Sequence, residues 1–207
     1  MNDPIIEIIC ATYGQDHQLK CFINCFLSQT SENWRLNIIH DGPDGSDSLE
    51  DDLKQNNYLS DPRVFFSRTS TRNNDYGHSS RALGIKKPVS ESMYTVITNG
   101  DNYYAPTFIQ ILTEHIKATH ADFITWDFVS HVSSKNHQFD RVNPYGLCQP
   151  ELRNGCIDMG SACINTRIVR HVGFDSTHHD ADFHFFEKCV PFCNDFVRIN
   201  SILFMHN

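Results

Sequence analysis

Residues 96–104 read VITNGDNYY. Three β-branched residues, Val96, Ile97 and Thr98, predict a strand. Asn99-Gly100-Asp101-Asn102 then breaks it, and two tyrosines follow. An apolar strand ending in a polar knot with one carboxylate has two physical explanations. The knot is a turn, for which Asn, Gly and Asp are the ordinary residues. Otherwise it stands at the open edge of a sheet, where a carboxylate can meet a cation. What lies beside the strand decides between them.

Working outward, residues 93–98 (MYTVIT) are the fourth strand of a series. Residues 5–13 (IIEIICATY) are nearly continuous apolar, the pattern of a strand covered on both faces. Asp16 is the expected N-cap of a helix with Leu19, Phe22, Ile23, Phe26 and Leu27 on one stripe. Residues 35–41 (RLNIIHD) predict a second strand, 47–57 a polar helix, and 63–67 (RVFFS) a third strand. A helix over 78–87 stops at Pro88, and Pro106 suits the first turn of another that runs to about 118. A strand over 122–132, a long excursion over 133–155, a segment at 156–164, helices near 166–171 and 181–189 and a strand at 196–204 complete the chain. This β-α-β-α-β-α-β order predicts an α/β fold with a mostly parallel central sheet flanked by helices. The 207 residues are enough for one domain with a real core.

Composition narrows the function. The 17 basic and 25 acidic residues leave a formal charge of −8, so no nucleic-acid partner is expected. No apolar run approaches the ~18–20 residues that cross a bilayer, so no membrane segment is expected in this chain. Eight cysteines without a C-x-x-C pair or a secretory signal read as reduced and mostly buried, and a cytoplasmic setting is expected.

In open α/β sheets ligands bind beyond the carboxyl ends of the strands. Those ends carry Thr12-Tyr13, Asp41, the region from Arg72 to Arg81, and Asn99-Gly100-Asp101. No G-x-G-x-x-G follows the first strand, and neither a P-loop nor a G-x-S-x-G elbow is present, so dinucleotide, P-loop and serine-hydrolase readings lose their main support.

The motifs, taken in order, resemble the nucleotide-sugar glycosyltransferases of the GT-A fold, especially the family-2 type. They are CATYGQ after the first strand, IIHDGPDGS after the second, YGHSSRALG with Gly77, Arg81 and Gly84, ITNGDNYYAP, IDMGSACI, and VGFDSTHHDADFHFF. The likeness runs from about residue 5 to 206. It implies a nucleotide-binding half over about 1–105 and an acceptor-side half over about 106–207, in a domain that a longer polypeptide could carry. A narrower likeness, to the capsid-glycosylating enzymes of large algal viruses, rests on length and general look and on no motif. It would place the chain in host cytoplasm.

Two positions depart from the family pattern. Asn99 stands where an Asp-x-Asp element has its first acid, and Ala181 precedes Asp182 where the family has an acidic pair. The resemblance implies a divalent cation, Mn2+ favoured over Mg2+, on Asp101 and on His206 near the tail. It implies Asp41 on the imide of a uracil, Thr12 and Tyr13 closing on the base, and His78, Arg81, Asn99 and Gly100 near the diphosphate or sugar. Asp182 becomes the general base, and Asp158 and Trp126 become contacts to acceptor or sugar. Each has a plainer alternative: turn residues for Asp41 and Asp101, a helix cap for Asp182, core packing for Trp126.

The expected partners are therefore a UDP-sugar donor and a glycan or glycoprotein acceptor, with inversion favoured if Asp182 is the base. The rivals are a nucleotidyltransferase that makes sugar nucleotides and a non-catalytic carbohydrate-binding module. Zinc on His178, His179, Asp180 and Asp182 is set aside because adjacent histidines converge poorly on one ion.

Overall fold

The structure, a computed structural model, describes residues 3–131, 145–175 and 181–207. Chain order is β1 (Ile6–Thr12), α1 (Asp16–Leu27), β2 (Trp34–His40), α2 (Ser46–Gln55), β3 (Val64–Arg68), α3 (His78–Lys86), β4 (Tyr94–Asn99) and β5 (Tyr103–Tyr104). Then follow α4 (Phe108–Thr119), β6 (Phe123–His131), β7 (Tyr145–Cys148), β8 (Ala162–Asn165), α5 (Thr166–Val172), α6 (Ala181–Cys189) and β9 (Phe196–His206). Of the expected excursion, 133–144 lie outside the described residues, as do residue 132 of the expected strand and His178, His179 and Asp180; residues 145–148 form β7.

The strands join in one sheet of order β3-β2-β1-β4-β8-β6-β9-β5, with β7 on β6. The parallel part is β3-β2-β1-β4. From β8 onward the sheet is mixed: β8 runs antiparallel to both neighbours, β6 and β9 are parallel, and β5 and β7 are antiparallel additions.

Every residue of β1 is buried, as its nearly continuous apolar run requires. Because side chains alternate across a strand, Ile6, Ile8 and Cys10 join Leu19, Phe22 and Phe26 of α1 and Phe108 and Leu112 of α4. Ile9 joins Ile85 of α3, Val169 of α5 and Phe186 of α6 in a second core. The result is three layers, helices over both faces of the sheet. Asp16 is not the cap expected of it: it is the first helical residue, and Gln15 before it has no capping side-chain bond. Trp126, expected near a sugar, is fully buried and packs edge-on to Phe108. It is a core residue, because alternation along β6 turns it into the helical layer.

Two features pin α3 and β1. Gly84 lies so close to the sheet that a Cβ there would meet Ile9 Cγ2 at 2.4 Å and Ile39 Cδ1 at 3.0 Å. Glu7, 1% exposed, accepts hydrogen bonds from Asn37 Nδ2 (3.2 Å), Val89 N (3.0 Å) and Ser92 Oγ (3.1 Å), tying the 87–92 turn to β1. Burial pushes its carboxyl above the usual range, and the bonds from Val89, Asn37 and Ser92 only partly pull it back.

Replacing a helical glycine by alanine ordinarily stabilises by up to about 1 kcal/mol, but overpacking costs about 1–3 kcal/mol. With two isoleucines in the way, Gly84→Ala should be net destabilising in chemical denaturation; a neutral or stabilising result would show that α3 can lift off the sheet. Glu7 takes up its proton more readily folded than unfolded. The stability this contributes is complete below the ordinary value of 4.5 and is lost as pH rises through the raised folded value. Wild type should therefore lose stability relative to Glu7→Gln as pH rises from about 4.5 toward neutrality, and a constant gap in urea titrations would contradict the assignment.

Candidate active site

The parallel strands end level with one another, since Thr12 stands opposite His40 and Ala11 opposite Asn99. A cavity of about 590 Å3 opens beyond these ends. Thr12, Tyr13 and Gln15 line it from the loop after β1, and Asp41 from the end of β2. The loop before α3 and its first turn add Arg72, Asn74, Tyr76, Gly77, His78 and Arg81, and β4 adds Asn99. Asp158, Asp182 and His206 close it from the second half of the chain. Gly100 packs beneath this wall, where a Cβ would sit 3.0 Å from Thr12 Oγ1. Asp101 does not line the cavity.

Asp41 is 5% exposed and builds the loop opposite it. Its Oδ1 accepts from Asn73 N and Asn73 Nδ2, both at 3.0 Å, and its Oδ2 from Asn74 N at 3.0 Å. Burial opposes the charge, yet these bonds, led by the two backbone amides, outweigh it and hold the carboxyl below its usual range. The neighbouring Gly42 has φ +96°, and a Cβ on it would lie 2.7 Å from Arg72 Cα, so only glycine lets the two backbones approach. Arg72 in turn lays its guanidinium 3.6 Å over the Tyr13 ring, bonds the Tyr13 hydroxyl, and donates to Asn74 Oδ1 at 3.2 Å.

Arg81 is 4% exposed. Its Nη2 donates to Asn99 Oδ1 at 2.8 Å, its Nη1 lies 3.1 Å from His78 Nδ1, and its Nε is buried without a partner. Asp158 caps the 3-10 turn Met159–Ser161, accepting from Gly160 N at 2.8 Å. Asp182 Oδ2 accepts from Met159 N at 3.0 Å, so two carboxylates grip one turn. His206 Nε2 lies 3.4 Å from Asp158 Oδ2, and its Nδ1 lies 3.1 Å from Ser130 Oγ. Burial raises Asp158 to about 6, with His206 pulling it down and Asp182 pushing it up. A second cavity of about 400 Å3 lies beyond this pair, with Phe128, Ser130, Cys148 and Arg153 among its walls.

Thr12, Tyr13, Asp41, His78, Arg81, Asn99, Asp158, Asp182 and His206 thus all line one cavity. Asp101 and His206 do not pair with each other. Asp101 Oδ2 accepts from Gln15 Nε2 at 2.7 Å, and His206 turns to Asp158 and Ser130. Gln15 and Arg72 went unassigned in the sequence, although both follow predicted strand ends. Among the described residues no three His, Cys, Asp or Glu side chains gather as a metal cluster. The carboxylate and imidazole that the family resemblance assigns to a cation thus stand on different partners, although both are donor types that a divalent cation accepts.

The sequence matches the family model described as Glycosyl transferase family 2 over residues 7–176. No curated protein matches it. Among solved structures, S. aureus TarS 1-349 superposes with a TM-score of 0.75 at 13% identity, covering 98% of this chain and 60% of that one. The complex of the same protein with UDP-GlcNAc gives 0.73 at 12%, covering 97% and 58%. The mannosyltransferase PcManGT from Pyrobaculum calidifontis, solved with GDP-Man and Mn2+, gives 0.67 at 10%, covering 100% and 57%. At these identities the likeness establishes the GT-A fold alone, and the chain spans at most three fifths of those structures.

If Asp41 organises the loop, Asp41→Ala leaves the Asn73 and Asn74 amides without their acceptor, at about 1–3 kcal/mol. Amide hydrogen exchange over residues 71–75 should speed up at least about tenfold while the β1–β4 core stays protected. Unchanged exchange in that loop would remove Asp41 from this role.

Proposed function

The chain belongs to glycosyl transferase family 2, and from that premise we propose that it moves a sugar from a UDP-sugar to a hydroxyl of a glycan or glycoprotein. One observation carries the reading: a buried guanidinium with only neutral partners faces a cavity at the carboxyl ends of parallel strands. An uncompensated buried charge is costly, and the diphosphate of a nucleotide-sugar would relieve it. The UDP and UDP-GlcNAc held by TarS structures lend support to a UDP-linked donor.

In this reading Asp41 accepts the imide N–H of uracil, and Thr12 and Tyr13 close on the base. Arg81, His78, Asn99 and Gly100 border the diphosphate and sugar. Asp101 and His206 would hold a divalent cation, Mn2+ in preference to Mg2+, as the Mn2+ in PcManGT favours. Such an ion would supply positive charge to the departing diphosphate. The acceptor enters from the side of Asp158 and the second cavity. Its hydroxyl attacks the anomeric carbon as the bond from that carbon to the diphosphate breaks, and the free oxygen of Asp182 takes the hydroxyl proton. Attack on the face opposite the leaving group inverts the anomeric centre. Asp158 contacts acceptor or sugar hydroxyls. All eight cysteines are free thiols, which suits a reducing, cytoplasmic setting, and no helix among the described residues is long and apolar enough to cross a membrane. The viral likeness draws no support from the matched structures and is not carried further.

A screen of nucleotide-sugars for hydrolysis, with and without Mn2+, tests the reading. A UDP-sugar should be turned over and GDP-sugars spared, and Asp101→Ala should lose the Mn2+ stimulation with its circular dichroism unchanged. Asp182→Asn should lower kcat for transfer by about 10²–10⁴-fold with little change in donor KM. Turnover of no nucleotide-sugar, together with no UDP binding, would leave the carbohydrate-binding module as the better account.

A further inference from the structure

Asn99 fixes how much charge Arg81 presents to the cavity. The two side chains meet at 2.8 Å through the Asn99 carbonyl oxygen, so the bond is kept but no negative charge comes with it. The other group on the guanidinium, His78 Nδ1 at 3.1 Å, must accept the hydrogen bond through a lone pair, which requires it unprotonated. Nε has no partner at all, and among the described residues no carboxylate lies within ion-pair distance of Arg81. Asp158 feels Arg81 only through space. A guanidinium 4% exposed and lining a cavity therefore has no carboxylate in direct contact and an unused donor, with Asp158 offsetting its charge only at longer range. A carboxylate at position 99 would make the same hydrogen bond and cancel the charge.

We propose that Asn99, by leaving Arg81 without a carboxylate in contact, makes this site a receptor for a diphosphate in the absence of any divalent cation. This rests on the glycosyltransferase reading for the identity of the anion, a nucleoside diphosphate, and goes beyond it in assigning the charge balance to one amide. Arg81 does at the diphosphate part of what a second acidic ligand and its cation would do, so binding of the donor and loading of the cation become separable. Position 99 sets how strongly they are linked.

Calorimetry with UDP and with inorganic pyrophosphate, each in EDTA and in Mn2+, tests this on wild type, Asn99→Asp and Asn99→Ala. Wild type should bind both ligands in EDTA. Asn99→Asp, nearly identical in volume, should lose at least about tenfold in affinity for both in EDTA and regain UDP binding in Mn2+. Asn99→Ala removes the hydrogen bond without adding charge, and should lose clearly less affinity in EDTA than Asn99→Asp. Wild-type binding that needs Mn2+, or equal losses in Asn99→Asp and Asn99→Ala, would overturn the proposal. Pyrophosphate binding without UDP binding would instead overturn the nucleoside reading and leave the anion site standing. Failure of both ligands under both conditions would end both.

Discussion

Parallel strands paired in one register must stop at one level, and this molecule depends on that constraint. With Ile6 opposite both Trp34 and Tyr94, the ends of β1, β2 and β4 are brought level, and His40 stands opposite Arg68 of β3. The polar residues that follow these strands have nowhere to go but the common edge. Below that edge the strands are buried on both faces, with two cores of aliphatic and aromatic side chains keyed by the alternation of β1. Gly84 lets α3 press against Ile9 and Ile39, and this close seat delivers His78 and Arg81 to the edge.

At the edge two buried charges meet opposite fates. Asp41 receives three amide bonds and is settled within the protein, which makes it the organiser of the Asn73–Asn74 loop. Arg81 receives two neutral neighbours and keeps a buried donor unused. The first arrangement stabilises an ion in place; the second leaves a positive potential waiting for an anion. The cavity has a direction, since an anionic ligand gains from approaching Arg81 and little from approaching Asp41. The turn Met159–Ser161, gripped by Asp158 and Asp182 and backed by the bond from Tyr104 Oη to Gly160 O at 2.9 Å, carries the second half of the chain to the same place.

Much of this was legible from residue order. Strand and helix positions fell within a few residues of their expected bounds, because continuous apolar runs, helical stripes and proline or glycine stops are local signals. Asp16 was misplaced as a cap because capping depends on a backbone angle one residue earlier, and Gln15 uses its side chain on Asp101 instead. Trp126 sits in a strand that the residue order predicts, but its burial against Phe108 is a property of the assembled layers. The antiparallel β8, inserted between β4 and β6, could not be seen in the alternating pattern, since an antiparallel strand with both faces covered has the same composition as a parallel one.

What residue order determined by itself was the α/β class, the level edge and the residue types gathered there, since these follow from periodicity and from where each strand stops. Only the tertiary structure decided which of those residues touch. It set His206 against Asp158 rather than against Asp101, stacked Arg72 on Tyr13, and left Arg81 beside an amide. The physical reason is that hydrogen-bond partners and charge balance are settled over a few ångströms between segments that lie well apart in the chain, or within a loop whose path glycine and asparagine alone do not specify.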